Sequence, residues 1–434
     1  MGLRTVLSGS SVTELTEPVD PRFELAALAG KDESRPLVFE SVAGYPAVRA
    51  VTNVVSSRER IGEALGVGSS EVVSALRQAT TDPRPLADST EAAFEHVADS
   101  PTVADYVPIP TYYAEHERQY IASGIVIARD PDTGVHNLSF HRLMYDGGSE
   151  FVMRLVERHL HDIRERTEGP LDVAIVVGVH PAVELAAATS GSPDMSELEV
   201  ANALREGDLE TTTVNGGIIV PAAAELVMTG RILEETREEG PFVDLSRTWD
   251  TIRQQPVVEI TALHLRPDPI VRVVVPGRRE HAHLMGLPQE PRINRIVQNT
   301  VPTVREVVLT PGGCSWLHGA VSIEKRTEGD AKNAGMAALA AHPSMKRVVV
   351  VDRDIDPTDP DSVEWAVATR VQPDRDVTTI ENAKGSSLDP SQHFETGTLT
   401  KWIVDATIPE HRDPADFREA TVPGVEDVSL EDYR

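Results

Sequence analysis

Residues 120–143 read YIASGIVIARDPDTGVHNLSFHRL and indicate the architecture of the middle of the chain. A run rich in β-branched apolar residues precedes residues 131–134 (PDTG), a turn-forming sequence, and a run of interleaved polar and apolar residues follows it. Two strand-like segments joined by a proline- and glycine-bearing turn predict a β-hairpin. The first strand is expected over 120–130 and the second over 135–145.

The second strand of this hairpin carries polar side chains at regular spacing. Alternation along a strand places Asn137, Ser139 and His141 on one face, and Phe140 and Arg142 on the other. An arginine that leads out of a tight turn can hold a carboxylate or phosphate through its rigid fork. The alternative interpretation is an ordinary solvated strand face.

Further strands and helices are predicted on the C-terminal side of the hairpin. Residues 151–169 have helical spacing, with Phe151, Leu155, Leu160 and Ile163 near one face. The pattern then predicts a buried strand followed by a helix that begins at Pro181. A second pair of strands is expected on either side of the sequence RPDP. Together these elements predict a β-rich domain with inserted helices.

The two ends of the chain alternate between strand and helix patterns. Before residue 105, the segments PLVFESV and AVRAVTNVV indicate strands and SSEVVSALRQA an amphipathic helix. After residue 291, TVREVVLT, DAKNAGMAALAAHP and KRVVVVD indicate a strand, a helix and a strand. We therefore expect three domains, over residues 1–105, 106–290 and 291–434, the outer two of α/β type.

The charge of the chain excludes several classes of function. Its 434 residues include 69 acidic and 41 basic side chains, a formal charge of −28. That excess argues against a nucleic-acid-binding surface and against attraction to anionic lipid. No run of 18 apolar residues, no secretory signal and only one cysteine are present. We expect a cytoplasmic protein without membrane or nucleic-acid partners.

Lysine is scarce among the basic residues. The chain has six lysines against 35 arginines. An acid-rich, lysine-poor composition is typical of proteins that work in concentrated salt, where the repulsion between like charges is screened. The composition favours a halophilic source, and an ordinary acidic enzyme is the alternative.

Two groups of side chains could carry chemistry beside the hairpin. Asn137, His159 and Glu197 would offer a divalent cation hard oxygens and an imidazole, a set that suits Mn²⁺ or Mg²⁺ better than zinc. The plain alternatives are a structural histidine and an acid at the start of a helix. In residues 238–244 (EEGPFVD), a rigid Gly-Pro turn could pair Glu239 with Asp244.

Paired carboxylates near an arginine form a proton-transfer network, because the arginine and their mutual repulsion separate their affinities for protons. A surface acidic loop is the alternative for this segment. The chain lacks the glycine-rich sequences of the Rossmann and P-loop nucleotide sites. The residues themselves therefore leave the function open at this point.

Taken in order, the segments of the chain resemble the UbiD family of prenylated-FMN-dependent decarboxylases. The resemblance extends from about Tyr120 to Thr407. Besides the hairpin, the segments that carry it are VERHL, AIVVGVHPAVELAAAT, SPDMSE, EGPFVD, PGGCSWLHGAVSI, VVVVDRDID, VEWAVATRVQPDRDV, GSSLDPS and KWIVDAT.

The resemblance implies roles for individual residues. The catalytic network would be Arg142, Glu239 and Asp244, with Asp244 protonating the product. The divalent metal would be held by Asn137, His159 and Glu197. The prenylated flavin would be contacted by Asn137, Ser139, Phe140, His141, Arg142, Arg158 and His159. In some members a potassium ion is bound by the stretch that matches Ala186, Ala187 and Thr189, and Lys384 and Lys401 are candidate phosphate partners.

The resemblance also implies a fold and a reaction. The fold would be of mixed α+β or α/β type, with a central split β-barrel that binds the flavin between α/β N- and C-terminal domains, in a homo-oligomer such as a dimer or hexamer. The reaction would be a reversible, non-oxidative decarboxylation of an α,β-unsaturated or aromatic acid through a covalent cycloadduct with the flavin. A separate flavin prenyltransferase would supply the cofactor.

The substrate is the least defined part of this expectation. Trans-anhydromevalonate 5-phosphate in archaeal isoprenoid synthesis is one candidate, and a 4-hydroxybenzoate-type acid in quinone synthesis is another. Only 4% of the residues are aromatic, which favours a small aliphatic or phosphorylated acid over a stacking pocket. A flavin-binding paralogue without catalysis and an assembly protein are the remaining alternatives.

Overall fold

The computed structural model describes residues 2–87, 89–115, 117–420, 422–424 and 428–433. The chain forms two compact units. The first unit comprises residues 1–292, 311–317 and 387–391, and the second comprises residues 293–310, 318–386 and 392–434. The division of the chain into three domains remains a prediction.

The described strands are short except for two long ones in the first unit. In chain order they are β1 (Thr13–Leu15), β2 (Leu37–Phe39), β3 (Arg49–Thr52), β4 (Glu95–Asp99), β5 (Tyr120–Ile121), β6 (Ile125–Arg129), β7 (His136–Phe140), β8 (Leu143–Gly147), β9 (Glu150–Met153), β10 (Leu171–Val177), β11 (Thr211–Val214), β12 (Ile218–Pro221), β13 (Leu226–Glu239), β14 (Phe242–Val243), β15 (Trp249–Asp250), β16 (Arg253–Leu265), β17 (Ile270–Arg272), β18 (Val304–Leu309), β19 (His318–Ile323), β20 (Arg347–Asp352), β21 (Val377–Lys384) and β22 (Thr398–Ala406).

The described helices are α1 (Leu3–Gly9), α2 (Glu24–Ala29), α3 (Arg58–Leu65), α4 (Val72–Thr81), α5 (His159–Arg166), α6 (Pro181–Ala187), α7 (Glu197–Leu204), α8 (Arg279–Gly286), α9 (Glu290–Thr300), α10 (Asp330–Ala341), α11 (Pro360–Arg370) and α12 (Pro373–Asp376). Within the described part of the chain, no helix has the length and apolar character needed to cross a membrane.

A nine-stranded sheet forms the centre of the first unit. Its order is β5-β8-β9-β16-β13-β10-β6-β7, with β4 paired to β16. The predicted hairpin is confirmed, because β6 pairs antiparallel with β7 and Arg129 lies opposite His136. Each predicted strand is interrupted, the first into β5 and β6 and the second into β7 and β8. Strands β5 and β8 pair with each other.

The core of the first unit covers both faces of this sheet. On β6, Val126 and Ala128 belong to one apolar cluster, whereas Ile125 and Ile127 belong to another. Because consecutive side chains point to opposite faces, a strand buried on both faces reads as a continuous apolar run. This burial fixes the hairpin in register and so determines where its polar side chains lie.

The described ends of the central sheet, β5 and β7, do not pair with each other. A mixed α/β architecture is confirmed, and the split barrel remains a prediction. Beside this sheet, β1, β2, β3 and β17 form a four-stranded sheet. The second unit contains a five-stranded sheet of order β18-β19-β20-β22-β21.

The helix predicted from residue 151 is wrong over its first half. Phe151 and Val152 lie on strand β9, opposite Tyr145 and Met144 of β8, and the helix begins only at His159. A short apolar run fits a buried strand as well as a helical face, so spacing alone does not separate the two. Aromatic and β-branched side chains favour the strand here.

The strand pair predicted around RPDP is also wrong. Strand β16 already pairs with β13 on one side and with β9 and β4 on the other. It therefore has no free edge for β17, which joins β3 in the other sheet. The intervening Asp268 has a left-handed φ of 50°, where the chain turns away from the central sheet.

Candidate active site

Arg142 lies between β7 and β8, with its side chain 7% exposed. Its Nε donates to Oε1 of Glu239 and its Nη2 donates to Oε2 of Glu239, both at 2.9 Å. This two-pronged contact matches the planar fork of the guanidinium to the carboxylate and fixes the orientation of both groups. The structure therefore brings together Arg142 and Glu239, which the family resemblance had grouped in one network.

Two further carboxylates contact the same guanidinium. Nη1 of Arg142 donates to Oδ2 of Asp244 and Nη2 donates to Oδ2 of Asp250, again at 2.9 Å each. The side chain of Asp244 is 18% exposed, against 0% for Glu239 and 5% for Asp250. Asp244 is consequently the carboxylate of this group that a small molecule could reach most readily.

Two aromatic rings pack against the cluster of Arg142, Glu239, Asp244 and Asp250. The guanidinium carbon of Arg142 lies 4.5 Å from the centre of the Phe242 ring, a cation–π contact. The hydroxyl of Tyr120 donates to Oε1 of Glu239 at 3.1 Å. Both rings are themselves buried and place apolar surface beside the ion pairs.

Burial and charge act in opposite directions on the arginine. Burial alone would lower the pKa of Arg142, but its carboxylate partners outweigh burial and raise that pKa above the ordinary value. Burial and the neighbouring Glu239 raise the pKa of Tyr120, so its phenol stays neutral and remains a hydrogen-bond donor.

The turn after β13 positions the two predicted catalytic acids. Strand β13 ends at Glu239, and the chain reverses through Gly240 and Pro241 into β14. Gly240 has a φ of +102°, and a Cβ there would lie 3.3 Å from the carbonyl oxygen of Thr251. Only glycine adopts this conformation without strain, so the Gly-Pro sequence was a useful signal.

The predicted metal residues are brought together in part. Both carboxylate oxygens of Glu197 lie 3.4 Å from Nδ2 of Asn137, and Oε2 accepts the backbone N–H of Leu138 at 2.9 Å. Burial raises the pKa of Glu197 to about 7. Among the described residues Glu197 has no cationic partner, so this carboxylate suits a metal ion.

His159 has no described hydrogen bond or ion pair with Asn137 or Glu197. It is the first residue of α5, and Arg158 is its N-cap residue. Helices α5 and α7 both pack against β7, the strand that carries Asn137. The fold therefore packs the helices that begin at His159 and Glu197 against the strand that carries Asn137, although the described contacts join only Asn137 and Glu197.

His141 and Ser139 lie on one face of the hairpin, as predicted. Nδ1 of His141 lies 2.8 Å from the carbonyl oxygen of Arg154, and Nε2 lies 2.9 Å from Oγ of Ser139. A carbonyl only accepts, so Nδ1 carries the proton and the serine hydroxyl donates to Nε2. Burial lowers the pKa of His141 to about 4, which keeps the imidazole neutral.

The remaining cofactor candidates differ in exposure. Phe140 is half-buried and Arg158 is exposed. Lys384 is exposed, whereas Lys401 is buried and donates to the carbonyl of Pro343. Both lysines belong to the second compact unit.

The predicted potassium stretch ends helix α6. The carbonyl oxygen of Ala186 already accepts two hydrogen bonds, from the backbone N–H and the hydroxyl of Thr189. Its two lone pairs are therefore occupied, and Ala187 is the better placed of the two alanines for a cation.

Sequence reasoning missed several residues of the Arg142 cluster. Asp250 reaches the site because β15 pairs with β14, which sets Asp250 opposite Phe242. The strand pairing depends on a loop that no local pattern specifies. Other missed residues are Tyr120, Phe242, Arg253 and His281.

Three family models match nearly the whole chain. They describe the N-terminal domain (residues 9–80), the Rift-related domain (residues 86–279) and the C-terminal domain (residues 282–406) of 3-octaprenyl-4-hydroxybenzoate carboxy-lyase. The match to these models identifies the chain as a carboxy-lyase. The chain belongs to the UbiD family.

Two curated relatives are anhydromevalonate phosphate decarboxylases. The protein from Methanothermobacter thermautotrophicus is 43% identical over 405 residues. The aligned region covers 92% of this chain and 95% of the relative's length. The protein from Methanocaldococcus jannaschii is 41% identical over 415 residues. The aligned region covers 94% of this chain and 97% of the relative's length.

Solved structures show the same fold. The UbiD-class enzyme HmfF from Pelotomaculum thermopropionicum in complex with FMN has a TM-score of 0.95 at 38% identity, over 100% of both chains. An evolved dimeric form of that enzyme in complex with prFMN has a TM-score of 0.91 at 36% identity, again over 100% of both chains.

Proposed function

We propose that this protein decarboxylates anhydromevalonate phosphate without net oxidation, using a prenylated flavin. The observation that carries the proposal is the buried guanidinium of Arg142 joined to both Glu239 and Asp244. The curated relatives with about 40% identity carry the name of this activity. The phosphorylated aliphatic acid also agrees with the low aromatic content of the chain.

The choice of cofactor is supported by the similar structures, which hold FMN or prFMN. When bound, the prenylated flavin supplies an electron sink for the carbon that loses CO₂. Ser139, Phe140 and Arg158 are at least partly accessible and would contact the flavin directly. The residues that complete the proposed flavin site are Asn137, His141, Arg142 and His159.

Arg142 would bind the carboxylate of the substrate. A guanidinium has five N–H groups, and the described contacts of Arg142 use four of them. The remaining N–H is on Nη1, the nitrogen that also holds Asp244. A substrate carboxylate bound there would therefore lie beside the accessible acid, with its leaving group oriented before reaction.

Asp244 would protonate the carbon that has lost CO₂. Its Oδ1 accepts the backbone N–H of Leu245 at 2.7 Å, and Arg142 holds Oδ2. These two contacts fix the orientation of the Asp244 carboxylate. Because aspartate is shorter than glutamate, the position of the backbone must bring this carboxylate close to the substrate. Glu239 would orient Arg142 and takes no part in the proton transfer, since its side chain is fully buried.

The metal assignment rests on the charge of the site. We propose that Mn²⁺ or Mg²⁺ binds Asn137, Glu197 and His159, because oxygen donors and one imidazole suit these ions. The cation would neutralise the buried carboxylate of Glu197. A potassium ion near Ala187 and Thr189 is proposed as its neighbour.

Several broader properties complete the proposal. A flavin prenyltransferase would supply the cofactor, and the protein would act in the cytoplasm of a salt-adapted cell. The flavin domain would adopt the split-barrel form, in a three-domain chain. Homo-oligomerisation, as a dimer or hexamer, is proposed in part because a similar enzyme has a dimeric form.

The test compares two substrates on one preparation. The protein would be produced together with a flavin prenyltransferase and purified in high salt with Mn²⁺ and K⁺. Release of CO₂ from anhydromevalonate phosphate, well above that from 4-hydroxybenzoate, is expected. Preference for 4-hydroxybenzoate would replace the substrate assignment, and no release from either acid by flavin-loaded protein would refute the proposed function.

A further inference from the structure

His281 carries a hydrogen-bond donor that the reaction derived above does not use. It is the third residue of helix α8, and its Nδ1 lies 3.0 Å from the backbone nitrogen of Gly277. A backbone N–H only donates, so Nδ1 accepts this hydrogen bond and carries no proton. The proton of the neutral imidazole is therefore on Nε2, the other nitrogen of the ring.

The surroundings of His281 keep the ring neutral. Burial lowers the pKa of His281 and the charge of Arg142 lowers it further, although Asp244 acts in the opposite direction. The first turn of a helix also disfavours a positive charge. A neutral ring whose Nδ1 is occupied as an acceptor keeps its Nε2–H as a donor.

The turn at Gly277 places this ring beside the proposed proton donor. Gly277 has a φ of +71°, and a Cβ there would lie 3.2 Å from the carbonyl oxygen of Asp244. The turn that fixes Nδ1 of His281 is therefore packed directly against the backbone of Asp244. The charges of both Asp244 and Arg142 act on the imidazole, in agreement with this placement.

The Nε2–H of His281 has no acceptor among the described residues. The side chain is half-buried, and Nε2 is not one of the fully enclosed atoms that lack a partner in the described part of the chain. This N–H therefore faces open space. A donor that is fixed in direction and unpaired in the free protein is the kind of polar group that orients a ligand in a site.

We propose that His281 is a substrate-binding residue whose Nε2–H donates to an anionic oxygen of the substrate beside Asp244. The inference rests on the proposed function and deepens it. Anhydromevalonate phosphate has two sources of such an oxygen, its carboxylate and its phosphate. A neutral imidazole can bind either one by a charge-assisted hydrogen bond without adding a further charge to the buried site.

Two substitutions separate this role from a purely structural one. In His281→Asn, the amide oxygen can replace Nδ1 as the acceptor for Gly277, but the shorter side chain cannot bring an N–H to the position of Nε2. In His281→Gln, the longer side chain brings an amide N–H to that position and gives up the bond to Gly277. The proposal predicts the larger loss in the asparagine variant, whereas a structural role predicts the larger loss in the glutamine variant.

Steady-state kinetics on flavin-loaded protein measure the loss. The KM for anhydromevalonate phosphate should rise by about tenfold or more in His281→Asn, because a hydrogen bond to a charged group is lost. His281→Gln should recover most of that loss. The matched control is His283→Asn on the same helix, where the imidazole contacts the carbonyl of Arg279, and its KM should not change. A larger loss in His281→Gln than in His281→Asn, or no loss in either, would overturn the inference.

The decarboxylation product identifies the oxygen that accepts, because it retains the phosphate and lacks the carboxylate. If the phosphate accepts from His281, inhibition by the product should weaken in His281→Asn by about the factor by which KM rises. If the carboxylate accepts, the product should inhibit wild type and variant equally, while KM for the substrate still rises.

Equilibrium binding separates this inference from the proposed function. Wild-type protein that binds anhydromevalonate phosphate in a calorimetric titration but releases no CO₂ would refute the proposed function. The order of the dissociation constants of His281→Asn and His281→Gln would then decide the inference. Normal wild-type turnover with the reverse order of the two variants would refute the inference alone. Flavin-loaded wild type that neither binds nor decarboxylates the compound would refute both.

Discussion

At the scale of single residues, the site depends on how the N–H groups of Arg142 are distributed. Four are committed to carboxylates and one, on Nη1, has no acceptor among the described residues. In the proposed function, the arginine has two tasks, holding its carboxylate partners and binding an incoming carboxylate. Both depend on the planar fork as well as on charge.

Arg142→Lys tests the fork directly. Lysine retains the charge but cannot hold Glu239 at two points while also contacting Asp244, so kcat should fall by about 100-fold or more. Steady-state kinetics on flavin-loaded protein measure the effect, with Arg231→Lys on the exposed side of β13 as the matched control. A loss smaller than about threefold would contradict the account.

Glu197→Gln tests the metal site. The amide keeps the shape of the carboxylate but removes the charge that a divalent cation would neutralise. We expect loss of Mn²⁺ and weaker retention of flavin, while the melting temperature of the metal-free protein does not fall, because a buried charge has been removed. Elemental analysis and the visible spectrum of purified protein measure both, with Glu199→Gln on the same helix as the control. Wild-type metal content in Glu197→Gln would refute the role.

At the scale of elements, the sequence predicted most of the strands and helices that carry the site. The hairpin was predictable because β6 is buried on both faces and therefore reads as an apolar run, and because the turn has a distinctive sequence. The first half of the predicted helix from Phe151 was not, since a three-residue apolar run fits either structure. The place of Asp250 in the site could not be predicted either, because it depends on the pairing of β14 with β15.

The turn at Gly240 gives a prediction at this scale. In Gly240→Ala, the positive φ and the close carbonyl of Thr251 should cost about 1–2 kcal/mol of unfolding free energy and displace Glu239. Urea unfolding and kcat measure the two effects. Gly9→Ala is the matched control, because a Cβ there meets nothing within 4 Å and its φ is ordinary. Equal stability of the two variants would contradict this explanation of the turn.

At the scale of the whole molecule, the net charge of −28 sets the conditions for stability. Self-repulsion of this size destabilises a compact chain unless salt screens it. Raising KCl from about 0.1 M to about 1 M, where the screening length falls from roughly 10 to 3 Å, should raise the melting temperature by several degrees. An osmotically matched sucrose series separates screening from solute exclusion. A melting temperature that is constant or falls with KCl would argue against salt adaptation.

In the proposed function Asp244, held by Arg142, delivers a proton to the carbon that loses CO₂. The most direct test is decarboxylation of anhydromevalonate phosphate in D₂O by flavin-loaded wild type and Asp244→Asn, with product analysis by mass spectrometry and NMR. We expect one deuteron at the former carboxyl carbon in wild type and almost no product from the variant. Unchanged turnover with the same deuterium content in Asp244→Asn would contradict it.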